Sequence, residues 1–256
     1  MKFFNTPLIK AIDAFTIKDE PITSIDLMER AASVLTTAIL ERYAGREFII
    51  FAGPGNNGGD GLAVARMLHC AGYRVAVWLI NPMGKLSPDC AANLERLQGI
   101  DVPIVPVNDT FTMPEIDRGV VIIDALFGSG LNRPVVSGVF ASVIRGIDAC
   151  SNEVVAIDMP SGLLGGDNEP SLQLIVLATL TLTLQFPKLS QLFAENEMFV
   201  GELKILDIGL SPRAIAETPT PFEFTCKEDI VPLIKPRAKH AHKGFFGRAL
   251  LVAGSK

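Results

Sequence analysis

The residues able to do chemistry gather in three short stretches, FAGPGNNGGDG (51–61), VVIIDALFGSG (120–130) and VVAIDMPSG (154–162). In the first, Gly53, Gly55 and Gly58 form a GxGxxG pattern between an apolar run and a helix-like run. Such glycines let the backbone approach a ligand closely, and the helix start that follows offers free N–H groups to a phosphate. A purely structural tight turn is the competing reading. Asn56, Asn57 and Asp60 add three oxygen-bearing side chains to the turn, more than anion binding needs. Asparagine also tolerates left-handed backbone, so turn geometry alone is an alternative for either one.

Two further carboxylates change the balance. Asp124 and Asp158 each close an apolar run and precede a glycine turn, and Ser161 follows Asp158 by three positions. In an open parallel sheet, ligands bind at the carboxyl ends of strands, where both aspartates are expected. Each could instead be a helix cap or an ion-pair partner. A carboxylate, an amide oxygen and a hydroxyl also suit a hard cation, and one carboxylate with neutral partners favours a weakly charged ion over a divalent one.

Other chemistries lack their residues. A dinucleotide-binding dehydrogenase places an acid about 20 positions after the glycine turn to hold the ribose; here the second strand ends WLINPMGK, with Asn81 and Lys85 and no carboxylate. There is no GxSxG elbow and no Walker A lysine. Cys70, Cys90, Cys150 and Cys226 lack CxxC spacing and only three histidines accompany them, which points to reduced structural thiols in place of a zinc or iron–sulfur site. Lys188, in QFPKLS after the long apolar run, could face the same edge, with a solvated turn lysine as the first reading.

The elements that must position these groups follow from periodicity. Leu8, Ile9, Ile12 and Phe15 mark a first helix. Leu27, Ala31, Val34, Leu35 and Ile39 mark a second, with Thr23, Ser24 and Asp26 as cap candidates and Gly45 as its stop. Thereafter apolar strand runs alternate with amphipathic helices: EFIIFAG, RVAVWLI, VPIVPV, GVVIIDA, NEVVAID, ATLTLTLQF and GELKILDIG, with a helix opened by Ser87 and another over VSGVFASVIRGIDACS. Such alternation predicts an α/β chain: a three-layer Rossmann-like fold with a mostly parallel central sheet and a helical N-terminal extension.

A length of 256 residues, 48% of them hydrophobic, suffices for one such domain. Residues 211–239, rich in proline and without period, read as a linker, and 240–256 as the start of another unit. The formal charge of −5, without a basic block, argues against nucleic acid and against an anionic membrane. The N-terminus lacks a signal-peptide core, and Leu172 to Phe186 is too short to span a bilayer, so a cytoplasmic protein is expected. The sequence leaves room for a homo-oligomer.

Taken together, GPGNNGGDGLAVAR, VVIIDALFGSGL and VVAIDMPSGL, with IKAIDAFT and DLMERAA before them, closely resemble the NAD(P)H-hydrate epimerase family, of YjeF N-terminal type, over roughly residues 8 to 210. HKGFFGRALLVAGS resembles the opening of the ADP- or ATP-dependent dehydratase domain that follows in bifunctional members. The resemblance implies a domain over 1–210, an isomerase that interconverts the R and S forms of NADHX and NADPHX, and no dehydratase activity from so short a stub. It implies contact with the hydrated dinucleotide by Asn56, Asn57, Gly58, Gly59 and Asp60. The turn Gly128, Ser129, Gly130, Leu131, Asn132, Arg133 and Pro134 and the carboxyl of Asp158 would share that contact. It also implies a potassium ion held by Asn57, Asp124 and Ser161. Where members of the family often continue with an acidic segment after MPSGL, this chain has LGGDNEP.

Epimerisation requires a proton delivered to a leaving group and returned on the other face. Asp158 is the expected acid/base, provided its neighbours raise its pKa toward neutral, with Asp60 in reserve. A non-catalytic nucleotide-binding or protein-interaction module of the same fold is the alternative.

Overall fold

The structure is a computed structural model that describes residues 1–166, 173–234, 239–240, 244 and 248–254. The LGGDNEP segment is therefore described only through Gly166, and within 240–256 residues 241–243, 245–247 and 255–256 lie outside the described residues.

Seven strands form one parallel sheet: β1 (Glu47–Ala52), β2 (Val75–Ile80), β3 (Ile104–Val107), β4 (Val120–Ala125), β5 (Val154–Ile157), β6 (Leu180–Leu184) and β7 (Glu202–Leu206). Their order is β3-β2-β1-β4-β5-β6-β7. The chain runs outward from β1 to β3 and then restarts beside β1 with β4, pairing Phe51 with Asp124. The switch point thus falls between β1 and β4, with the loops after both strands on the same edge. Every residue of β4 and of β5 is buried, as strands covered on both faces must be.

Helices α2 (Ser24–Tyr43), α3 (Asn56–Cys70) and α4 (Pro88–Gln98) cover one face through Leu35, Ile39, Leu62, Leu68 and Leu97. Helix α5 (Gly138–Ala149) covers the other, where Val139, Val143, Ile144 and Ile147 meet Phe51 and Ile122. Thr23 caps α2 in a reciprocal box with Asp26. Ser87 occupies the cap position of α4, but its hydroxyl makes no cap bond and is buried without a partner among the described residues.

Helix α1 (Thr6–Asp19) is capped by Asn5, whose side chain accepts from the Leu8 N–H at 3.1 Å. It buries Ile12 with Phe4, Leu27, Phe186, Ile208, Leu210 and Ala214 in a separate cluster at the β6–β7 side. The stretch from 211 that reads as a linker is built into this cluster over its first part. A short helix (Pro212–Glu217) forms there, and the Ser211 N–H donates to Thr16 Oγ1 at 2.9 Å. Phe3 and Phe222 pair through the backbone at 3.2 Å, and Lys2 Nζ donates to the carbonyls of Ile215, Ala216 and Thr218. Among the described residues no helix is long and apolar enough to cross a membrane.

Candidate active site

The loop after β1 turns sharply because two of its glycines have no room for a side chain. A Cβ on Gly53 would lie 2.0 Å from the Leu126 carbonyl oxygen, and one on Gly58 only 1.8 Å from that of Gly53. Gly55, by contrast, faces open space and serves as the N-cap of α3. Gly59 packs against Met28 and Cys90, and Gly61 against Ala125. Glycines 53, 58 and 61 are therefore what bring the loop and α3 down onto β4.

This packing opens a cavity of about 900 Å³ along the switch-point edge. Asn56, Asn57, Asp60, the whole turn Gly128–Pro134 and Asp158 line it, so these expected contacts converge. Gly58 and Gly59 do not reach the cavity; they act through packing beneath it. Helix α1 supplies another wall through Thr6, Ile9, Lys10 and Asp13, a stripe at helical spacing flanked by its buried Ile12 and Thr16. Reading the sequence named IKAIDAFT only as part of the resemblance and gave Asp13 no role, because a carboxylate on an amphipathic helix carries no signal of what it faces.

Asp124 is fully buried at the end of β4. It accepts from Ser161 Oγ at 2.6 Å, from the Ser161 N–H at 2.7 Å and from the Leu126 N–H at 3.2 Å. Ser161 Oγ in turn accepts from the Phe127 N–H at 2.9 Å, which locks the β4 and β5 loops together. Burial pushes the Asp124 carboxyl up, the Ser161 and Leu126 hydrogen bonds oppose it, and the result is about 6.

Asp158 has left-handed backbone, with φ of +65°, which aspartate tolerates better than most residues. The conformation is held from both sides: its N–H donates to the Leu182 carbonyl at 2.9 Å, and Gln191 Nε2 donates to its carbonyl at 2.7 Å. Its side chain accepts from the Ser129 N–H at 3.1 Å and forms an ion pair with Lys188. Lys188 is 3% exposed and also donates to Thr183 Oγ1 at 2.9 Å, so it is a buried partner and not a solvated turn lysine. Burial pushes the Asp158 carboxyl up, but Lys188 and the Ser129 and Leu184 N–H groups outweigh it, leaving the pKa below the ordinary aspartate value. That direction is opposite to the one an acid working near neutral pH requires.

Asp60 has the complementary environment. It is buried, accepts no hydrogen bond among the described residues, and stands in the field of Asp158, Asp13 and Asp89. Burial first, and those charges second, raise its pKa well above the aspartate norm. Asp13 is raised to about 6 by burial and by Asp158, with Lys188 opposing. The pocket therefore separates its carboxyls into one held ionised and two whose pKa is raised.

Asn57 is 8% exposed, and among the described residues neither its Oδ1 nor its Nδ2 has a partner. Gly128 fits between it and Asp158: a Cβ there would come within 3.0 Å of both Asn57 Oδ1 and Asp158 Oδ2. A buried amide with both atoms orphaned is costly unless a ligand or ion completes it. Among the described residues no group of three or more His, Cys, Asp or Glu side chains is placed to hold a metal. A cation at this edge would rest on one carboxylate and neutral oxygens.

A doubly flanked parallel sheet with carboxylates and a glycine turn at its switch point defines a nucleotide-type α/β site. The chain belongs to the family described as YjeF-related protein N-terminus, whose model matches residues 24–190. It is 36% identical over 200 residues to an NAD(P)H-hydrate epimerase of Limosilactobacillus fermentum, covering 78% of this chain and 93% of that protein. It is also 36% identical over 260 residues to the bifunctional NAD(P)H-hydrate repair enzyme Nnr of Thermofilum pendens, covering 100% of this chain but 48% of the relative. The chain thus spans about half the length of that bifunctional relative. The crystal structure of yeast ynu0 shares the fold, with a TM-score of 0.69 at 20% identity over 90% of this chain and 98% of that one.

Proposed function

We propose that this chain is an NAD(P)H-hydrate epimerase, interconverting the R and S forms of NADHX and NADPHX in repair of damaged nicotinamide nucleotides. The observation that carries the reading is the near-complete span of a single-domain relative of that name, 93% of its length at 36% identity. The site supports it chemically. The reacting carbon bears a hydroxyl and is bonded to the ring nitrogen, so its configuration is lost by expelling hydroxide or by opening the ring. Either route needs a proton donor before the bond breaks and an acceptor afterwards.

Asp60 suits the donor role in this reading, because burial and neighbouring charge raise its pKa well above the aspartate norm. Asp158, held ionised by Lys188, suits orientation of the ligand and stabilisation of positive charge that develops on the ring. The turn Gly128–Pro134 would hold the rest of the dinucleotide, with Arg133 available to its phosphates.

Asn57, Asp124 and Ser161 fit a potassium ion. Asn57 Oδ1 is an orphaned oxygen and Asp124 a buried carboxylate facing only neutral donors. When bound, the ion would neutralise Asp124 and tie the β1 loop to the β4 and β5 ends. A cytoplasmic setting accords with four free cysteines, since reducing compartments leave thiols unpaired.

The deciding experiment starts from purified (R)-NADPHX and follows appearance of the S epimer with potassium or with sodium. Catalysed conversion stimulated by potassium is expected. Tight binding of the hydrate without conversion would favour a nucleotide-binding module instead.

A further inference from the structure

Asp13 lies outside the stretch that the family model matches, on α1, yet it lines the same cavity as Asp60 and Asp158. We propose that Asp13 is a catalytic carboxyl of this site, sharing one proton with Asp60 so that one of the two gives and the other takes during each epimerisation. The inference rests on the epimerase reading and extends it to a helix outside residues 24–190.

Three observations place Asp13 there. First, the stripe Thr6, Ile9, Lys10 and Asp13 faces the cavity while Ile12 is fully buried behind it, so the helix presents one fixed face. Second, that face is anchored at both ends of the helix. Thr6 Oγ1 donates to the Ser129 carbonyl at 3.3 Å, and Thr16 Oγ1 accepts from the Ser211 N–H at 2.9 Å. Ser211 Oγ also donates to Asp19 at 3.2 Å. Third, the cavity it faces is incomplete without a ligand, since the buried Asn57 amide there has no partner among the described residues for either polar atom.

The charged groups that share the cavity with Asp13 are Asp60 from α3, Arg133 from the turn after β4, Asp158 after β5 and Lys10 on its own helix, with Lys188 acting on it from after β6. Lys188 is already committed to Asp158. Among the described residues neither Asp13 nor Asp60 forms an ion pair, Asp60 stands in the field of Asp13, and such a carboxyl pair retains one proton between them.

The step balances without an outside reactant. As the C–O bond breaks, the ring-nitrogen lone pair forms a C=N bond and the departing oxygen takes the proton from the protonated carboxyl, leaving as water. A water then adds to the opposite face, the C=N electrons return to nitrogen, and the surplus proton passes to the carboxylate of the pair. One water leaves, one enters, and the pair ends with its proton on the other member, poised for the reverse reaction.

The test uses the full chain with (R)-NADPHX, comparing wild type, Asp13→Asn, Asp13→Glu, and Asp13→Ala with added formate. We expect Asp13→Asn to lose about 100-fold or more in kcat, the usual weight of a general acid or base. Its circular dichroism and its Kd for the hydrate should stay within about threefold of wild type, with Asp13→Glu retaining at least about a tenth of the rate. Formate should partly restore Asp13→Ala, which a merely structural role would not allow. An active wild type with Asp13→Asn turning over as fast, or equal losses in the Asn and Glu variants without formate rescue, overturns the inference alone. A wild type that leaves the R epimer unchanged overturns the epimerase reading, and this inference with it.

Discussion

Lys188 and Asp158 form an ion pair at the carboxyl edge of the sheet, with the two side chains only 3% and 12% exposed. The pair keeps one carboxylate charged inside a cavity where the pKa of its neighbours Asp13 and Asp60 is raised. Removing the lysine would strand that charge, and breaking a buried pair from one side typically costs about 3–5 kcal/mol. Lys188→Met should therefore lower the urea midpoint strongly. The double variant Lys188→Met/Asp158→Asn should recover a large part, because no unpaired charge remains. Asn also tolerates the left-handed backbone at 158. A double-mutant cycle in urea measures the coupling, and simple additivity would count against the pair.

Asp60→Asn keeps the shape of the side chain but removes its proton exchange. A fall of about 10²–10⁴-fold in kcat, with little change in binding of the hydrate, is the expected outcome. Asp158→Asn should also bind hydrate and lose turnover, and should in addition destabilise the fold through Lys188. Comparing kcat, Kd and urea midpoint for the two variants separates proton transfer from charge placement.

The raised pKa of Asp13, about 6 against an ordinary 3.8, has a sign for stability. The folded chain binds this proton more tightly than the unfolded one, so the contribution is greatest below the unfolded value. It is lost as pH rises from about 4 to about 6. Asp13→Asn should flatten that part of the stability profile. Urea melts at intervals between pH 4 and 7, wild type beside variant, provide the check, and parallel curves would contradict it.

Potassium should raise the melting temperature of wild type more than sodium at equal ionic strength. Asn57→Ala should abolish the difference, since it removes the orphaned oxygen. Asp124→Asn should reduce it as well, but with loss of stability from the Ser161 network. Thermal denaturation across the two salts is sufficient, and an equal potassium response in Asn57→Ala would exclude its ligand role.

The glycines of the first loop should respond unequally. Gly58→Ala would set a methyl 1.8 Å from the Gly53 carbonyl oxygen, so the loop must move or the chain fail to fold. Gly55→Ala meets open space and should cost about 1 kcal/mol or less. Soluble yield and denaturant midpoint distinguish them; equal tolerance would mean the loop is less tightly packed than it stands here.

Much of this molecule was legible before folding. Apolar runs broken by amphipathic ones determined a parallel sheet covered on both faces, and the spacing of Asp124, Asp158 and the glycine turn placed the site at the carboxyl edge. Those signals are local, since burial on both faces leaves an apolar run and a tight turn leaves a glycine. What each carboxyl does was not local. Asp13, Asp60 and Asp158 are alike as letters, and only the folded chain brings Lys188 against one of them and leaves the other two unpaired. The same holds for residues 211–224, which look like a proline-rich linker until Phe222 pairs with Phe3 and Ser211 docks on α1. Sequence alone determined the fold, the edge and the loop residues gathered there, but not the α1 wall or the place of Lys188. Tertiary structure decided their charge states, because desolvation and the distance between charges exist only once remote segments share one cavity.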